Sequence, residues 1–329
     1  MQQYLYKKNN HHLKVPEINN YWNINIPSHK IVPYNKTLIT PTNHLFVKGR
    51  YIPTGLYKSF DNKQLSFIQK TYLYIKSKYI NKKIRFNDNI IWVYDSWSGN
   101  YYHWLCETLP RIWHLHKHNP IASVIIPNRF KKFTYIKESL HLLEIEPTFI
   151  DETTTLIADK VYTIKTEPYW GIINPEFQQE LAFNLKKNAL VSQEDCGRRI
   201  YISRKKAKYR KVVNEDKIIP ILNQFNYEII NAEDLTFTQQ IKLFSETTSL
   251  IALHGAGHTN LMFMPPHSTV LEIRNKKIDS QPFCYFELSN IFSITWNYIS
   301  SKAIGKVDNF NDIEVDVQQF NRKLKELHL

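Results

Sequence analysis

"LIALHGAGHTNLMFMPP", residues 250–266, places two glycines and two histidines between an apolar run and a segment of helical character. The run 249–253 predicts a buried strand, and 259–264 predicts a short helix that the double proline ends. At such a junction Gly255 and Gly257 let the backbone approach a ligand closely, and the free amides of a helix start favour an anion. The stretch therefore predicts a phosphate site, although two glycines in a tight turn are also ordinary geometry.

The composition is that of a folded protein with a basic surface. The chain has 329 residues, 43% of them hydrophobic and 22% charged, which predicts about two domains and excludes a disordered chain. Lys and Arg number 43 against 30 Asp and Glu, a net charge of +13. This excess indicates a polyanionic partner, a phosphate-bearing substrate or an anionic membrane surface, whereas for most of the lysines a solvated face is the simpler interpretation.

The cysteine spacing and the lengths of the apolar segments indicate the cellular compartment of the protein. Cys106, Cys196 and Cys284 lie far apart without a C-x-x-C pair, so neither a zinc knuckle nor a disulfide framework is indicated. We find no apolar stretch of signal-peptide or membrane-span length, and we expect a cytoplasmic protein.

Strand and helix patterns alternate from about residue 89 onward, whereas residues 1–85 show no clear periodicity. The first group of predicted strands is NIIWVYDS, ASVIIP and PTFI, with helices over 101–118, 130–143 and 175–190. After the polar stretch 191–199, the second group of strands is RIYIS, YEII, LIALH, TVLEI and ITWNYI, with helices starting near Asn214, Thr238, Thr259 and Pro282. We therefore predict an α/β fold, with an N-terminal α/β domain over 1–190, a Rossmann-like domain over 191–310 and a closing amphipathic helix over 311–329.

A second basic element follows the first strand of the Rossmann-like domain. Ser203 ends that strand, and the next residues include Arg204, Lys205, Lys208, Arg210 and Lys211. Asn214 is predicted to cap the helix that follows, with Glu215 and Asp216 in its first turn. Because the carboxyl ends of parallel strands meet at one sheet edge, this loop and the glycine junction should converge there. Ligand contact is favoured for Arg204, and a solvated loop is an equal alternative for the lysines.

The stretch NYYHWLCETLPRIWHL, residues 100–115, predicts a polar stripe on a helix. His103, Glu107 and Arg111 are spaced four residues apart and share one helix face. They fit an acid/base pair, two metal ligands or a surface salt-bridge ladder. Spacing alone favours the ladder, and the metal hypothesis is weaker because no third ligand cluster appears nearby.

Three blocks of this sequence resemble one enzyme family. Residues 100–111, 201–215 and 254–273 are similar, in order and separation, to blocks of the glycosyltransferase 61 family, and the likeness covers about residues 90–275. The resemblance implies a GT-B-like fold, two Rossmann-like domains facing a cleft. It also implies an inverting transfer from a nucleotide sugar, usually UDP-linked, without a metal or other cofactor. His258 stands where the family often has Leu, His267 where it often has Gly, and Glu107 where many relatives have Asp.

The resemblance and the motif positions together define the predicted site. The donor-binding residues are Ser203, Arg204, Lys208, Arg210, His254, Gly255, Ala256, Gly257, His258, Thr259, Asn260 and Glu272. The acceptor-side residues are Asn100, Tyr102 and Arg111, and the catalytic residues are Glu107 and His103. Transfer needs a base for the acceptor hydroxyl and positive charge for the leaving diphosphate. We choose Glu107 as the base with His103 orienting a substrate, and the reverse assignment stays open.

The expected partners follow from the family and the charge. We expect a nucleotide sugar and a glycan or lipid-linked glycan acceptor in bacterial surface polysaccharide synthesis, and no nucleic acid. The protein would be cytoplasmic, with a basic surface suited to the inner membrane. The alternatives are a sugar-nucleotide epimerase or hydrolase on the same fold, and a non-catalytic polyanion-binding protein such as an RNA binder.

Overall fold

The computed structural model describes residues 30–52, 65–151, 153–165, 173–192, 197–276, 283–305 and 311–327. Two compact units divide between Leu181 and Ala182, within one helix. Residues 1–29, 53–64 and 193–196, which belong to the unassigned N-terminal region and the predicted domain boundary, lie outside the described residues. The division into 1–190, 191–310 and 311–329 stays a prediction.

The first unit contains a seven-stranded mixed sheet. Its strands are β1 (Lys30–Ile39), β2 (Leu45–Val47), β3 (Arg50–Ile52), β4 (Lys83–Ile91), β5 (Ser123–Pro127), β6 (Pro147–Ile150) and β7 (Thr155–Lys165). Its helices are α1 (Phe67–Ile75), α2 (Tyr101–His103), α3 (Leu109–His118) and α4 (Thr134–Leu142), and it shares α5 (Pro175–Asn188) with the second unit. The strand order is β3-β2-β1-β7-β4-β5-β6; β7, β4, β5 and β6 are parallel, and β1 to β3 add antiparallel strands.

The alternating part of the sequence prediction is confirmed in this unit. The three predicted strands correspond to β4, β5 and β6, and the predicted helices to α2 with α3, α4 and α5. The strands β1 and β7 and the helix α1 were not predicted. The interior is apolar, since Trp92 and Trp104 are fully buried.

The second unit contains a six-stranded sheet with five parallel strands. Its strands are β8 (Arg198–Ile202), β9 (Glu228–Ile230), β10 (Thr247–Leu253), β11 (Thr269–Asn275), β12 (Thr295–Ala303) and β13 (Ile313–Glu314). Its helices are α6 (Glu215–Gln224), α7 (Phe237–Ser245), α8 (Cys284–Ile291) and α9 (Val317–Glu326). The five strands predicted here are confirmed as β8 to β12, and β13 pairs antiparallel with β12.

The strand order of this sheet decides where a ligand can bind. The order is β13-β12-β11-β10-β8-β9, so the chain runs from β8 outward to β9 and then crosses back to β10 on the other side of β8. Neighbouring strands whose connections leave in opposite directions form a topological switch point, and open α/β sheets bind ligands at its carboxyl edge. The loops that follow β8 and β10 both lie at this edge.

Several local predictions are corrected. Asn214 precedes α6 but does not cap it with its side chain, because Oδ1 accepts from Val315 N at 3.0 Å and Nδ2 donates to Val315 O at 2.8 Å. The short helix after the glycines begins earlier than predicted, as a 3-10 helix over Ala256–Phe263. Pro282 lies outside the described residues, and α8 begins at Cys284. The closing segment is β13 followed by α9, which packs Phe320 and Leu324 into the core of the second unit.

Candidate functional site

The loops after β8 and β10 contact each other at the switch point. Nη1 of Arg210 donates to the carbonyl of His254 at 3.3 Å. Nη1 of Arg204 lies 3.1 Å from the position that a Cβ on Gly255 would take. The two elements that the sequence predicted to converge are therefore in contact, at the sheet edge where parallel α/β sheets bind ligands.

Backbone carbonyls hold the Arg204 side chain in place. Nε of Arg204 donates to Arg210 O at 2.8 Å, and Nη2 donates to Tyr209 O at 3.0 Å. Burial, followed by repulsion from Arg210, lowers the pKa of Arg204, with Glu233 acting in the opposite sense. Two guanidinium groups thus lie close together at the switch point, an arrangement that an anion would stabilise.

The two glycines make close contacts within the protein. Gly255 has an extended backbone with φ 164°, which any residue adopts, so the space beside Arg204 is the reason for a residue without a side chain. A Cβ on Gly257 would lie 3.2 Å from Cδ1 of Ile202 in β8. In this structure the glycines allow the 3-10 helix to lie against β8 and Arg204.

The start of the 3-10 helix offers unused hydrogen-bonding capacity. Ala256 and Gly257 are partly exposed, and neither amide donates to another backbone oxygen of the described residues. Among the described residues of the two loops, three buried polar atoms have no hydrogen-bond partner: Arg210 Nε, His258 Nδ1 and Thr259 Oγ1. Buried polar atoms are normally paired, so this grouping indicates a place for a hydrogen-bonding ligand or water.

A buried carboxylate lies behind His254. Oε1 of Glu272 is 2.5 Å from His254 Nδ1 and accepts from Arg274 Nη1 at 3.0 Å, while Oε2 accepts from Trp296 Nε1 at 2.9 Å. Burial opposes ionisation of Glu272, but Arg274 and His254 outweigh it and lower its pKa to about 2. Because Glu272 is fully buried, it acts on a ligand only through His254.

His258, the second histidine of the junction, is fully buried. Its Nε2 bonds the Ala252 carbonyl at 3.0 Å, and burial lowers its pKa to about 4, so the ring is neutral at pH 7. Tyr285 packs against both histidines, with ring centroids 5.3 Å from His254 and 5.1 Å from His258. His267 has φ 67°, a left-handed conformation that favours glycine.

The remaining predicted donor residues lie in different surroundings. Ser203 is buried and donates to Glu215 Oε2 at 3.0 Å. Asn260 is buried and donates to Gln240 Oε1 at 2.9 Å. Lys208 is exposed, with Nζ over the Tyr209 ring. Hydrogen bonds within the protein thus occupy Ser203 and Asn260, whereas Lys208 is accessible.

In the first unit, a histidine and a carboxylate form a pair on the helical segment after β4. His103 Nδ1 lies 2.9 Å from Glu107 Oε2. The His103 side chain is 24% exposed and that of Glu107 is 7% exposed, so the imidazole is the accessible member. An ionised carboxylate only accepts hydrogen bonds, which places the proton on Nδ1 and leaves the Nε2 lone pair of a neutral ring available.

A π-helical turn lies between His103 and Arg111, and of the predicted three-residue ladder only His103 and Glu107 form an ion pair among the described residues. Trp104–Thr108 form the turn, in which Leu109 N donates to Trp104 O five residues earlier. Pro110 has no N–H to continue the α-helical pattern, and the wider turn moves later residues around the helix. Arg111 is partly exposed and makes no ion pair within the described residues.

Neighbouring side chains support the turn and the pair. Nε2 of Gln178, on α5, donates at 3.1 Å to the Leu105 carbonyl that the interrupted helix leaves free. Asn100 caps α2 by accepting from Tyr102 N at 3.0 Å. The buried Tyr102 packs edge-to-face on His103, with ring centroids 5.3 Å apart.

The sequence did not indicate several residues that contact His103 and His254. Trp97 lies with its ring centroid 5.5 Å from that of His103, and Asp95 Oδ1 accepts from Trp97 N at 2.8 Å. Asp95 and Trp97 lie four and six residues after the end of β4, and Asp95, a polar residue near the end of the predicted strand segment 89–96, was the available signal. Gln178 and Tyr285 lie on distant helices, and no local pattern indicates their contacts.

The described residues contain neither a cluster of metal ligands nor a membrane-spanning helix. No group of three or more His, Cys, Asp or Glu side chains is arranged to hold a metal ion within these residues. None of the helices in the described ranges combines the length and the apolar character that crossing a bilayer requires.

Comparison with known proteins identifies a family. The sequence model of the glycosyltransferase 61 family matches residues 101–271, more than half of the chain. An EGF domain-specific O-linked N-acetylglucosamine transferase of Drosophila melanogaster is 34% identical over 102 residues, 29% of this chain and 19% of that protein. The protein of the same name from Rattus norvegicus is 27% identical over 150 residues, 40% of this chain and 28% of that protein. The matches thus span less than a third of these relatives.

Proposed function

Since this chain belongs to the glycosyltransferase 61 family, we propose that it transfers a sugar from a nucleotide sugar to a glycan, and that the switch point of the second unit binds the donor diphosphate. The contact of Arg204 and Arg210 with the His254–Gly257 junction carries this proposal. Neither arginine forms an ion pair with an acidic side chain of the described residues.

The chemistry requires positive charge at the leaving group. As the bond between the anomeric carbon and the diphosphate breaks, negative charge grows on the diphosphate oxygens. Arg204 Nη1, Arg210 and the amides of Ala256 and Gly257 are the donors that would stabilise it. The exposed Lys208 adds positive charge at the edge of the proposed diphosphate site. This charge takes the role that a divalent cation has in other transferases, and metal independence stays a prediction.

His254 would meet the donor through Nε2. Glu272 fixes Nδ1, and Arg274 and Trp296 fix Glu272, so the ring has one orientation. Such a supported histidine is suited to hydrogen-bond a phosphate or sugar oxygen with little loss of side-chain entropy.

For the base, the geometry favours the reverse of the assignment made from the sequence. His103 is the accessible member of the pair, and Glu107 is bonded to Nδ1 from the buried side. In the proposed step the acceptor hydroxyl gives its proton to Nε2 of His103, its oxygen bonds the anomeric carbon with inversion, and the nucleoside diphosphate departs. Glu107 orients the ring and stabilises the imidazolium that forms.

The donor nucleotide, the acceptor, the cellular location and the arrangement of the two units are proposed from the sequence alone. A UDP-linked donor, a lipid-linked or polysaccharide acceptor of a bacterial surface and a cytoplasmic location stay predictions, as does a GT-B-like arrangement of the two units. The relatives are named for N-acetylglucosamine transfer, so a nucleotide-linked N-acetylglucosamine is the first donor to test.

A thermal-shift screen of nucleotide sugars tests the donor site. A ligand at 100 times its dissociation constant should stabilise the protein by about 2.7 kcal/mol. Arg204→Ala should lower the shift to half or less of the wild-type value, whereas Lys206→Ala should keep it, because Lys206 of the same loop is exposed and paired with Asp234. The absence of a shift with every nucleotide sugar and nucleoside diphosphate would contradict the proposal.

Product analysis separates transfer from the alternative reactions. Labelled sugar should appear on a glycan acceptor. Free labelled sugar alone would identify a hydrolase, and an isomeric nucleotide sugar would identify an epimerase.

A further inference from the structure

The helix α1 and the π-helical turn that continues it, Lys76–Ile80, present apolar side chains outward. Phe67 is 83% exposed and Ile68 is 78% exposed, and no residue of α1 is buried. The other large apolar side chains on this face are Tyr72, Ile75, Tyr79 and Ile80, all exposed. We call these six residues the α1 apolar face. A contiguous exposed patch of this kind marks an interaction surface.

The opposite side of the helix fixes its orientation. Tyr74 packs against Phe46 of β2 with ring centroids 5.3 Å apart, and Lys70 Nζ lies 5.0 Å from the centroid of the Tyr51 ring in β3. A capping box at Ser66 and Gln69 defines the helix start. Because one side rests on the β2–β3 hairpin, the α1 apolar face is held away from the first unit's sheet.

The charge around this face has one sign. Residues 65–87 contain six basic side chains and no Asp or Glu, and the basic residues are Lys70, Lys76, Lys78, Lys82, Lys83 and Arg85. Lys76 Nζ lies 5.7 Å from the Tyr72 ring centroid, and Lys78 Nζ lies 5.2 Å from that of Tyr79. Lysines beside exposed aromatic rings are typical of segments that lie in the headgroup region of a bilayer.

We propose that the α1 apolar face docks on an anionic lipid surface, with Phe67, Ile68 and Tyr72 entering the interface and Lys76 and Lys78 contacting lipid phosphates. Apolar side chains and basic side chains each contribute, so binding requires both. This surface belongs to the first unit and the proposed donor site to the second, and the proposal does not depend on the proposed reaction. Docking would hold the enzyme where a lipid-linked acceptor is presented.

Vesicle sedimentation with the full chain tests the surface. The wild type should bind phosphatidylglycerol–phosphatidylcholine vesicles, bind pure phosphatidylcholine weakly, and lose binding at high salt because the charges are screened. Phe67→Ser with Ile68→Ser, and separately Lys76→Glu with Lys78→Glu, should each lower the partition coefficient by about tenfold or more.

Matched controls separate a specific face from general stickiness. Phe183→Ser removes an apolar side chain that is 67% exposed on α5, and Lys132→Glu removes an exposed lysine whose Nζ lies over the Phe133 ring. Both control variants should bind as the wild type does. Every variant should keep the wild-type melting temperature, since only exposed side chains change.

Three outcomes would overturn the proposal. The first is equal binding to neutral and anionic vesicles, and the second is equal loss in the control variants. The third is the absence of vesicle binding together with a dimer in solution that Phe67→Ser with Ile68→Ser dissociates, which would assign the face to a second copy of the chain.

Discussion

Nδ1 of His103 lies 2.9 Å from Oε2 of Glu107, and the carboxylate is the more buried partner. Glu107 lies in the π-helical turn, and His103 is the last residue of α2 before it. Such turns are frequent at functional sites, and this one presents the imidazole outward while the carboxylate supports it from below.

If His103 is the base, His103→Asn should lower sugar transfer by roughly 10²- to 10⁴-fold with donor binding unchanged. Glu107→Gln should cost less, because its amide oxygen still accepts from Nδ1. Turnover should be measured with the acceptor found by product analysis. An active His103→Asn protein beside an inactive Glu107→Gln protein would restore the assignment made from the sequence. Full activity of both would leave the pair a purely structural role.

Gly255 tests the placement of Arg204. Gly255→Ala would put a Cβ 3.1 Å from Arg204 Nη1, and the extended backbone there accepts alanine without strain. We expect weaker nucleotide binding with little change in melting temperature. In a double-mutant cycle, adding Gly255→Ala to Arg204→Ala should cost nothing further, because the group that it displaces is already gone. Additive losses would show that Gly255 acts on the ligand independently of Arg204.

His258 makes stability depend on pH. Its pKa is about 4 in the folded protein and 6.5 for an unperturbed histidine, so its contribution is complete above pH 6.5 and is lost as pH falls toward 4. From pH 7 to pH 5 the wild type should lose about 2 kcal/mol of unfolding free energy through this group. His258→Leu should remove that part of the loss, as measured by urea unfolding at both pH values. The same slope in the variant would refute the assignment to His258.

Metal independence is tested with a chelator. Because Arg204 and Arg210 supply charge at the proposed diphosphate site, transfer should persist in excess EDTA. Loss of activity with EDTA and recovery with Mn²⁺ or Mg²⁺ would contradict this prediction.

The sequence predicted the second unit better than the first for physical reasons. Strands β8 and β10 end in buried apolar runs, IYI and LIAL, which polar or glycine-containing loops follow. Strand β1, KIVPYNKTLI, is half exposed and contains a proline and an asparagine, and no apolar period marks it. Its register is fixed by pairing with β7, a contact more than a hundred residues away.

The candidate site also depends on contacts that the sequence pattern does not show. The position of Arg204 after a strand could be predicted, but its carbonyl anchors at Tyr209 and Arg210 depend on how the loop folds back. The sequence predicted one helix over 101–118, whereas the structure divides it at a π-helical turn just before Pro110, a detail that depends on how the backbone accommodates that proline. The His254 and Glu272 pair requires the parallel register of β10 with β11, which places the ends of two strands side by side.

Isothermal titration of the wild type and Arg204→Ala with UDP tests the donor site most directly. The account predicts one binding site, with the Ala variant weakened by about 1.5 to 3 kcal/mol, the range for a hydrogen bond to a charged group. Arg204→Lys should recover only part of the affinity because it lacks the guanidinium fork. Lys206→Ala, the control in the same loop, should bind as the wild type does. Wild-type affinity in Arg204→Ala would contradict the proposed diphosphate site.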